Sequence, residues 1–162
     1  MKKQVAKIQA IGTVTHNKFL GYGPDGTALY EPGVPEVIKN LVTDVGRVYL
    51  HTQIFGTSSA NVFQYIALSN DALGETASST VLSNEITLNN LGRALGTVTL
   101  PTGSGTITTV AKTFTASGAQ SCQKAALFTA AAVGTMNHVL AFTQRNLILN
   151  DTIAITFSIT IS

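Results

Sequence analysis

Charged side chains are scarce in this sequence. Only 11% of its 162 residues are Asp, Glu, Lys or Arg, whereas a soluble domain typically carries about 25%. Thr, Ser, Asn and Gly take the place of the missing charges. Because so few charges leave a weakly solvated surface, we expect partner molecules to cover much of it.

Cysteine, tryptophan and long apolar runs are absent or nearly so. Cys122 is the single cysteine, which excludes an internal disulfide and a secreted disulfide framework. No apolar run reaches the roughly 18 residues of a membrane span. Met1-Lys2-Lys3 is similar to the start of a signal peptide, but polar residues interrupt the run that should follow it. We therefore expect no cleaved signal and synthesis in a reducing cytoplasm.

The last twelve residues alternate between large apolar and small polar side chains. The apolar ones are Ile153, Ile155, Phe157, Ile159 and Ile161. A period of two places them on one face of a strand. The pattern predicts a half-buried strand and a protein built around a sheet.

Residues 57–162 as a whole are predicted to form one antiparallel domain. The predicted strands are 62–68, 85–88, 93–100, 106–116, 121–129, 136–143 and 152–161. Short strands separated by Gly, Ser and Asn turns are typical of a β-sandwich. The predicted fold class is therefore mainly β, an antiparallel and jelly-roll-like β-sandwich, with a longer loop at 69–84.

Residues 1–34 are predicted to form an extended basic arm. The first 20 residues contain Lys2, Lys3, Lys7 and Lys18 and no acid. The run Gly23-Pro24-Asp25-Gly26 predicts a hairpin turn within the arm. Such an arm can bind an acidic protein surface or nucleic acid, or it can be a solvated terminus. The lysines lack the interleaved aromatics of an RNA-binding sheet, which argues against nucleic acid.

Residues 35–56 are predicted to hold an amphipathic helix at 35–53 and a connection. Pro35 suits a first helical position, and Glu36 favours the first turn. Apolar residues recur at three- and four-residue spacing, namely Val34, Ile38, Leu41, Val45 and Val48. Such a helix is expected to pack over the sheet.

The motifs that would indicate catalysis stand in the wrong context. The G-x-G-x-x-G spacing at 21–26 has no helix to meet a pyrophosphate. Ser121-x-x-Lys124 requires a helix to bring both residues to one face, whereas the segment is predicted to be a strand. His16, His51 and His138 are scattered and have no ligands at metal spacing. We expect no enzyme activity, no cofactor and no metal.

The order and spacing of several short blocks carry a family resemblance. The blocks are FQYIALS at 63–69, LSNEI at 82–86, LGRA at 91–94, KTFTA at 112–116, KAALF at 124–128, GTM at 134–136 and NDTIAITF at 150–157. Together, over about residues 41–162, they resemble small structural proteins of tailed bacteriophages. The resemblance implies a β-sandwich virion component of the head-decoration, head-fibre or tail-associated type. Residues 1–34 lie outside it.

The expected function is that of a capsid decoration protein, which binds the head shell and stabilises it through subunit contacts. We expect a homo-oligomer, with a trimer favoured on symmetry grounds, that binds the major capsid protein or other virion proteins and no membrane. The candidate contact residues are Lys2, Lys3, Lys7, Lys18, Tyr22 and Tyr30.

Glu85 and Arg93 each open a predicted strand. They are expected to form an ion pair, either within the chain or across subunits.

Two alternatives remain open. The first is a tail, baseplate or head-fibre component, a location in which the domain could recognise the host. The second is a carbohydrate-binding β-sandwich, against which the absence of tryptophan counts because sugar platforms usually present exposed aromatic rings.

Overall fold

The computed structural model describes residues 8–48, 62–102 and 107–161, and these residues form mainly strands. The strands are β1 Ile8–Tyr22, β2 Ala28–Glu31, β3 Glu36–Lys39, β4 Leu41–Val42, β5 Tyr65–Ser69, β6 Ala94–Leu95, β7 Thr97–Thr99, β8 Ile107–Thr115, β9 Gln120–Phe128, β10 Met136–Leu147 and β11 Thr152–Ile161. Their pairings are all antiparallel. The predicted mainly-β class is confirmed.

The strands form two sheets. The larger sheet has the order β2-β1-β11-β8-β7, and β3 also pairs with β1. The smaller sheet has the order β4-β10-β9-β5-β6. Strand β11 occupies the centre of the larger sheet, and its Ile153, Ile155 and Phe157 are fully buried. The predicted alternation is confirmed for these three residues.

The main core lies between the two sheets. It contains Val14 and Val110 from the larger sheet together with Ile66, Leu127 and Leu140 from the smaller one. The sheets therefore pack face to face in a sandwich-like arrangement.

A second cluster lies on the opposite face of the smaller sheet. Ala67 sits between the core residues Ile66 and Leu68 on strand β5, so it points away from the main core. Ala67 packs with Phe128 and with Leu82 from the long loop after β5. This loop therefore covers part of the outer face of the sheet.

Both sides of the sandwich are crossed by a segment that changes sheet. On one side β3 pairs with β1 of the larger sheet and β4 pairs with β10 of the smaller sheet. On the other side β6 pairs with β5 and β7 pairs with β8. Gly96 is the corner of this second crossing, and a Cβ there would lie 3.1 Å from the Ala111 carbonyl oxygen. A side chain at this corner would require its neighbours to shift by a few tenths of an ångström.

The predicted helix at 35–53 is wrong over its first half. Residues Glu36–Lys39 and Leu41–Val42 are strands, only residues 44–48 are helical, and residues 49–53 lie outside the described residues. Strand β1 offers an edge to residues 36–39, and β-branched Val37 and Ile38 suit that pairing. Backbone pairing to β1 therefore outweighs a helical spacing that is only a weak local preference.

The predicted arm at 1–34 is corrected for its described part. Strand β1 pairs with β11 from Ile8 to Asn17 and is an integral strand of the larger sheet. The hairpin turn predicted at Gly23–Gly26 is confirmed by a hydrogen bond from Gly26 N–H to the Gly23 carbonyl oxygen, 2.9 Å. Residues 1–7 lie outside the described residues. The predicted domain boundary at 56/57 stays a prediction.

Two predicted strands also need correction. Residues 85–88 form no strand, and only an isolated bridge joins Glu85 to Ser69. The predicted strand at 93–100 is divided at Gly96 into β6 and β7, because the chain changes sheet there. Pattern alone does not indicate such a crossing.

Candidate interaction surface

A two-stranded ribbon extends beyond the end of strand β11. Strand β11 pairs with β1 only as far as Asn17, whereas β2 pairs with Lys18 to Tyr22. Among the described strands, β2 is the only partner of this outer part of β1. The ribbon, residues 18–31, therefore projects from the larger sheet and ends in a turn closed by Gly23 N–H and the Thr27 carbonyl oxygen, 2.8 Å.

Three aromatic rings pack together on the ribbon. The ring centroids of Phe19 and Tyr22 are 5.2 Å apart with an interplanar angle of 70°, and those of Phe19 and Tyr30 are 5.8 Å apart at 64°. Edge-to-face pairs of this kind stabilise a structure by about 0.5–1.5 kcal/mol each beyond burial. Phe19 and Tyr22 both lie on β1 and Tyr30 lies on β2, so the Phe19–Tyr30 pair joins the two strands of the ribbon.

The ribbon nevertheless leaves large apolar side chains in water. The exposed fractions are 62% for Leu20, 65% for Tyr22 and 48% for Leu29. We call Leu20, Tyr22, Leu29 and Tyr30 the hairpin surface, which includes both faces of the ribbon, because the strand register places Tyr22 and Tyr30 on one face and Leu29 on the other. Exposed apolar side chains clustered on one projecting element indicate a binding surface.

Asp151 fixes the base of the ribbon. Its Oδ1 accepts a hydrogen bond from Phe19 N–H (2.7 Å), and its Oδ2 accepts bonds from His16 Nε2 (3.0 Å) and Ile148 N–H (3.1 Å). Burial raises the pKa of Asp151, but these hydrogen bonds outweigh burial and hold the pKa below its ordinary value. A buried, ionised carboxylate thus joins the ribbon to the turn that precedes β11.

That turn continues the exposed apolar area. Ile148 and Leu149 are 52% and 57% exposed, and Asp151 bonds the backbone of both Ile148 and Phe19. The exposed side chains of Ile148 and Leu149 therefore lie at the base of the ribbon.

Three of the predicted contact residues lie on the ribbon. Lys18, Tyr22 and Tyr30 are brought together on the ribbon, where Lys18 is exposed and lies opposite Glu31. Lys2, Lys3 and Lys7 lie outside the described residues. The sequence signal for the ribbon was the Gly-Pro-Asp-Gly turn between aromatic residues, whereas its anchoring by Asp151 had no local signal.

Glu85 and Arg93 form an ion pair within the chain. Arg93 Nε donates to Glu85 Oε1 at 2.9 Å and Arg93 Nη2 donates to Glu85 Oε2 at 2.6 Å. Arg93 Nη1 also donates to the carbonyl oxygens of Ala130 and Val133, and its guanidinium lies 3.6 Å from the ring centroid of Phe128. The bidentate pair with Glu85 fixes the guanidinium, and the two bonds from Nη1 then hold the β9–β10 turn in place.

Lys124 on strand β9 is buried and bonds two carboxylates, a role that the sequence did not predict. Its Nζ donates to Asp71 Oδ2 (2.9 Å), Glu75 Oε1 (3.0 Å) and the Leu73 carbonyl oxygen (2.6 Å). The predicted strand at Ser121-x-x-Lys124 is confirmed. The pKa of Asp71 is lowered by the hydrogen bond from Leu73 N–H and by Lys124. The three contacts tie the long loop after β5 to the sheet.

Two further reactive side chains are buried in the core. Burial raises the pKa of the Cys122 thiol to about 12, so the thiol stays protonated near neutral pH. Burial lowers the pKa of His138 to about 4, and neither ring nitrogen of His138 has a hydrogen-bond partner. Within the described residues, no group of three or more His, Cys, Asp or Glu could hold a metal ion.

An open pocket of about 440 Å³ is lined by no residue of the ribbon. Asn70, Asn84, Thr87 and Gln120 line it with polar side chains, and Glu85 and Leu88 also contribute. Amide and hydroxyl groups of this kind can form hydrogen bonds with a polar ligand.

Comparisons of the chain with protein-family models, curated proteins and solved structures find no match. Among the helices of the described residues, none is long and apolar enough to span a membrane. The candidate site is therefore defined by its geometry, and its most distinctive feature is the hairpin surface.

Proposed function

We propose that the chain is a non-enzymatic structural protein that joins a larger assembly through the hairpin surface. The observation that carries the proposal is the exposure of Leu20, Tyr22 and Leu29 on a ribbon with a fixed base. Burying each leucine or a comparable side chain at an interface contributes roughly 1.5–3 kcal/mol. Because Asp151 and the aromatic pairs hold the ribbon in place, a partner can bind it without a large ordering cost.

The setting we propose is the virion of a tailed bacteriophage, with the chain as a capsid decoration protein and the shell as its partner. The resemblance of the sequence blocks supports this setting, and a jelly-roll-like sandwich is the fold we propose for it. The low charge of the chain supports a protein whose surface is largely covered. Lys18 beside the hairpin surface suits an acidic patch on the partner.

Substitution of the hairpin surface tests the proposal. Tyr22→Ser combined with Leu29→Ser is expected to lower occupancy on empty capsids at least about tenfold, because about 1.4 kcal/mol of lost contact changes an equilibrium constant tenfold. Occupancy is measured by co-sedimentation followed by quantitative mass spectrometry. Deletion of residues 2–20 is unsuitable because it would remove most of strand β1.

Val81→Ser is the matched control. Val81 is 68% exposed in the long loop after β5, outside the larger sheet and its ribbon, and its substitution is expected to leave occupancy unchanged. Full occupancy of the double variant would exclude the hairpin surface as the site that binds the capsid. A wild-type chain that binds no part of the particle would exclude the virion setting.

The alternative of a tail, baseplate or head-fibre component places the same surface elsewhere in the particle. Capsid decoration requires many copies per particle, whereas a tail component requires few. Counting copies per purified virion by mass spectrometry distinguishes the two locations.

A carbohydrate-binding module is the second candidate function. The pocket lined by Asn70, Asn84, Thr87 and Gln120 favours it, because sugars are recognised by amide and hydroxyl groups. Binding on a glycan array that is lost in Asn84→Ala would favour this function over the first.

A further inference from the structure

Lys124 is buried between two carboxyl groups. The side chain of Lys124 is 2% exposed, and those of Asp71 and Glu75 are 10% and 7% exposed. Lysine is almost never fully buried unless it is paired, and one carboxylate would be enough to pair it. Here a second carboxyl lies within 3.0 Å of the same nitrogen. The cluster therefore holds a nucleophile, an acyl group and a proton carrier in one place.

We propose that Lys124 and Asp71 form an intramolecular amide bond, with Glu75 carrying the proton. The cross-link would join strand β9 to the long loop, between residues 53 positions apart in the chain. This modification is independent of the hairpin surface and of the partner proposed above.

The geometry brings the reacting groups together. Lys124 Nζ lies 2.9 Å from Asp71 Oδ2, which places it beside the Asp71 carboxyl carbon. The Asp71 carboxyl is fixed because its Oδ1 accepts a hydrogen bond from Leu73 N–H (3.1 Å), and Asp71 N–H donates to Ser69 Oγ (3.0 Å). Groups held in this way react at effective molarities far above those of free solutes.

The remaining contacts direct the nitrogen lone pair. Once Lys124 has lost one proton, its two remaining N–H groups can donate to the Leu73 carbonyl oxygen and to Glu75. The lone pair is then directed toward Asp71.

The atoms and protons of the step balance. The ammonium of Lys124 transfers to Asp71 Oδ2 the proton that it shares with that oxygen, and the neutral Nζ attacks the carbon of the resulting carboxylic acid. The new bond joins Nζ to this carbon, and the bond between the carbon and the Asp71 hydroxyl breaks. Glu75 takes one proton from Nζ and passes it to the departing hydroxyl, which leaves as water, so Glu75 returns to its carboxylate form. No oxidant, metal or external reactant is required.

Intact mass spectrometry of the purified, folded full-length chain tests the proposal. The cross-linked chain is expected to be lighter than its sequence mass by one water. Trypsin cleaves after unmodified Lys and Arg, so it would release residues 48–93 joined to residues 113–145 as one branched peptide. A chain with the full sequence mass after prolonged incubation would overturn the proposal and leave Lys124 as an ion-pair clasp.

Two variants separate the cross-link from other losses of water. Asp25-Gly26 can lose water by forming a succinimide, but that product gives no branched peptide and persists in Lys124→Arg. Lys124→Arg is expected to abolish the branched peptide while it keeps a cation at the site. Glu75→Gln keeps a hydrogen-bonding group without the proton carrier, and we expect cross-linking on the order of a hundredfold slower. Cross-linking at an unchanged rate in Glu75→Gln would exclude Glu75 as the proton carrier.

Discussion

The buried polar residues of this fold differ in how many hydrogen-bond partners they have. Asp151 has three hydrogen-bond donors, and Lys124 has three acceptors. His138 has no partner at either ring nitrogen and lies 6.5 Å, centroid to centroid, from the Phe157 ring of the other sheet. Because an unpaired buried polar group lowers stability, His138 is the weak point of the main core.

Replacement of His138 by leucine is expected to remove a pH-dependent loss of stability. The folded pKa is about 4 and the ordinary value is 6.5, so between them the unfolded chain binds more protons than the folded chain. The fold therefore keeps its full stability above about pH 6.5, where His138 is neutral in both states, and loses stability as the pH falls toward 4. The difference between the two pKa values corresponds to a loss of about 3 kcal/mol in unfolding free energy.

Urea unfolding of both proteins between pH 7 and pH 4 measures this effect. His138→Leu is expected to show a shallower fall of the unfolding free energy and a higher value at pH 7. NMR titration of the His138 ring in the wild type provides the independent check. A ring that titrates at its ordinary pKa, or an unchanged pH slope in the variant, would contradict the expectation.

At the scale of elements, the segments that join the two sheets are the ones that sequence patterns described least well. Residues 36–42 have a helical apolar spacing but form β3 and β4, one in each sheet. Residues 94–99 were expected to be one strand but divide at Gly96. In both cases the pairing partner is distant in the chain, so the local pattern contains no information about it.

Gly33 is a test of how the ribbon joins the sheet. Its N–H donates to Asn17 Oδ1 at 3.0 Å, and a Cβ at Gly33 would lie 1.8 Å from the His16 carbonyl oxygen. Gly33→Ala must therefore displace backbone, and we expect it to lower the unfolding free energy by about 1–3 kcal/mol.

Gly74→Ala is the matched substitution, because a Cβ at Gly74 has no neighbour within 4 Å. It is expected to change stability by less than about 0.5 kcal/mol. Thermal and urea unfolding compare the two variants. Equal stabilities of the two variants would show that β1 and residue 33 are not in close contact.

The whole molecule exposes apolar groups at both lateral ends of the larger sheet. One end carries the hairpin surface, and the other ends in strand β7, whose three residues Thr97–Thr99 are uncharged and exposed. Among the described strands, β7 pairs only with β8. Unpaired edge strands without charges tend to associate with other chains, so β7 is the edge we expect in the proposed trimer.

Val98→Lys is expected to weaken self-association, because a charge on an edge strand opposes pairing with a neighbouring chain. Sedimentation velocity is expected to give three times the 17.0 kDa chain mass for the wild type and a predominantly monomeric variant. Val81→Lys places the same charge at a loop residue that is 68% exposed and is expected to stay trimeric. A monomeric wild type would refute the trimer, and a trimeric Val98→Lys would exclude the β7 edge.

The amino-acid sequence by itself determined the elements whose pattern is local. The alternation from Ile153 to Phe157 defines β11, and the Gly-Pro-Asp-Gly run defines the ribbon turn, because side-chain period and turn chemistry depend only on neighbouring residues. The low fraction of charged residues, 11%, can likewise be read directly from the composition.

Only the tertiary structure decided which distant residues meet. Asp151 anchors Phe19 from 132 positions away, and Lys124 meets Asp71 from 53 positions away. The segment 36–42 became strands because edges of β1 and β10 were open to it. The physical reason is that hydrogen bonding and burial are satisfied by whichever groups the fold brings close, and closeness in space is not encoded in local spacing.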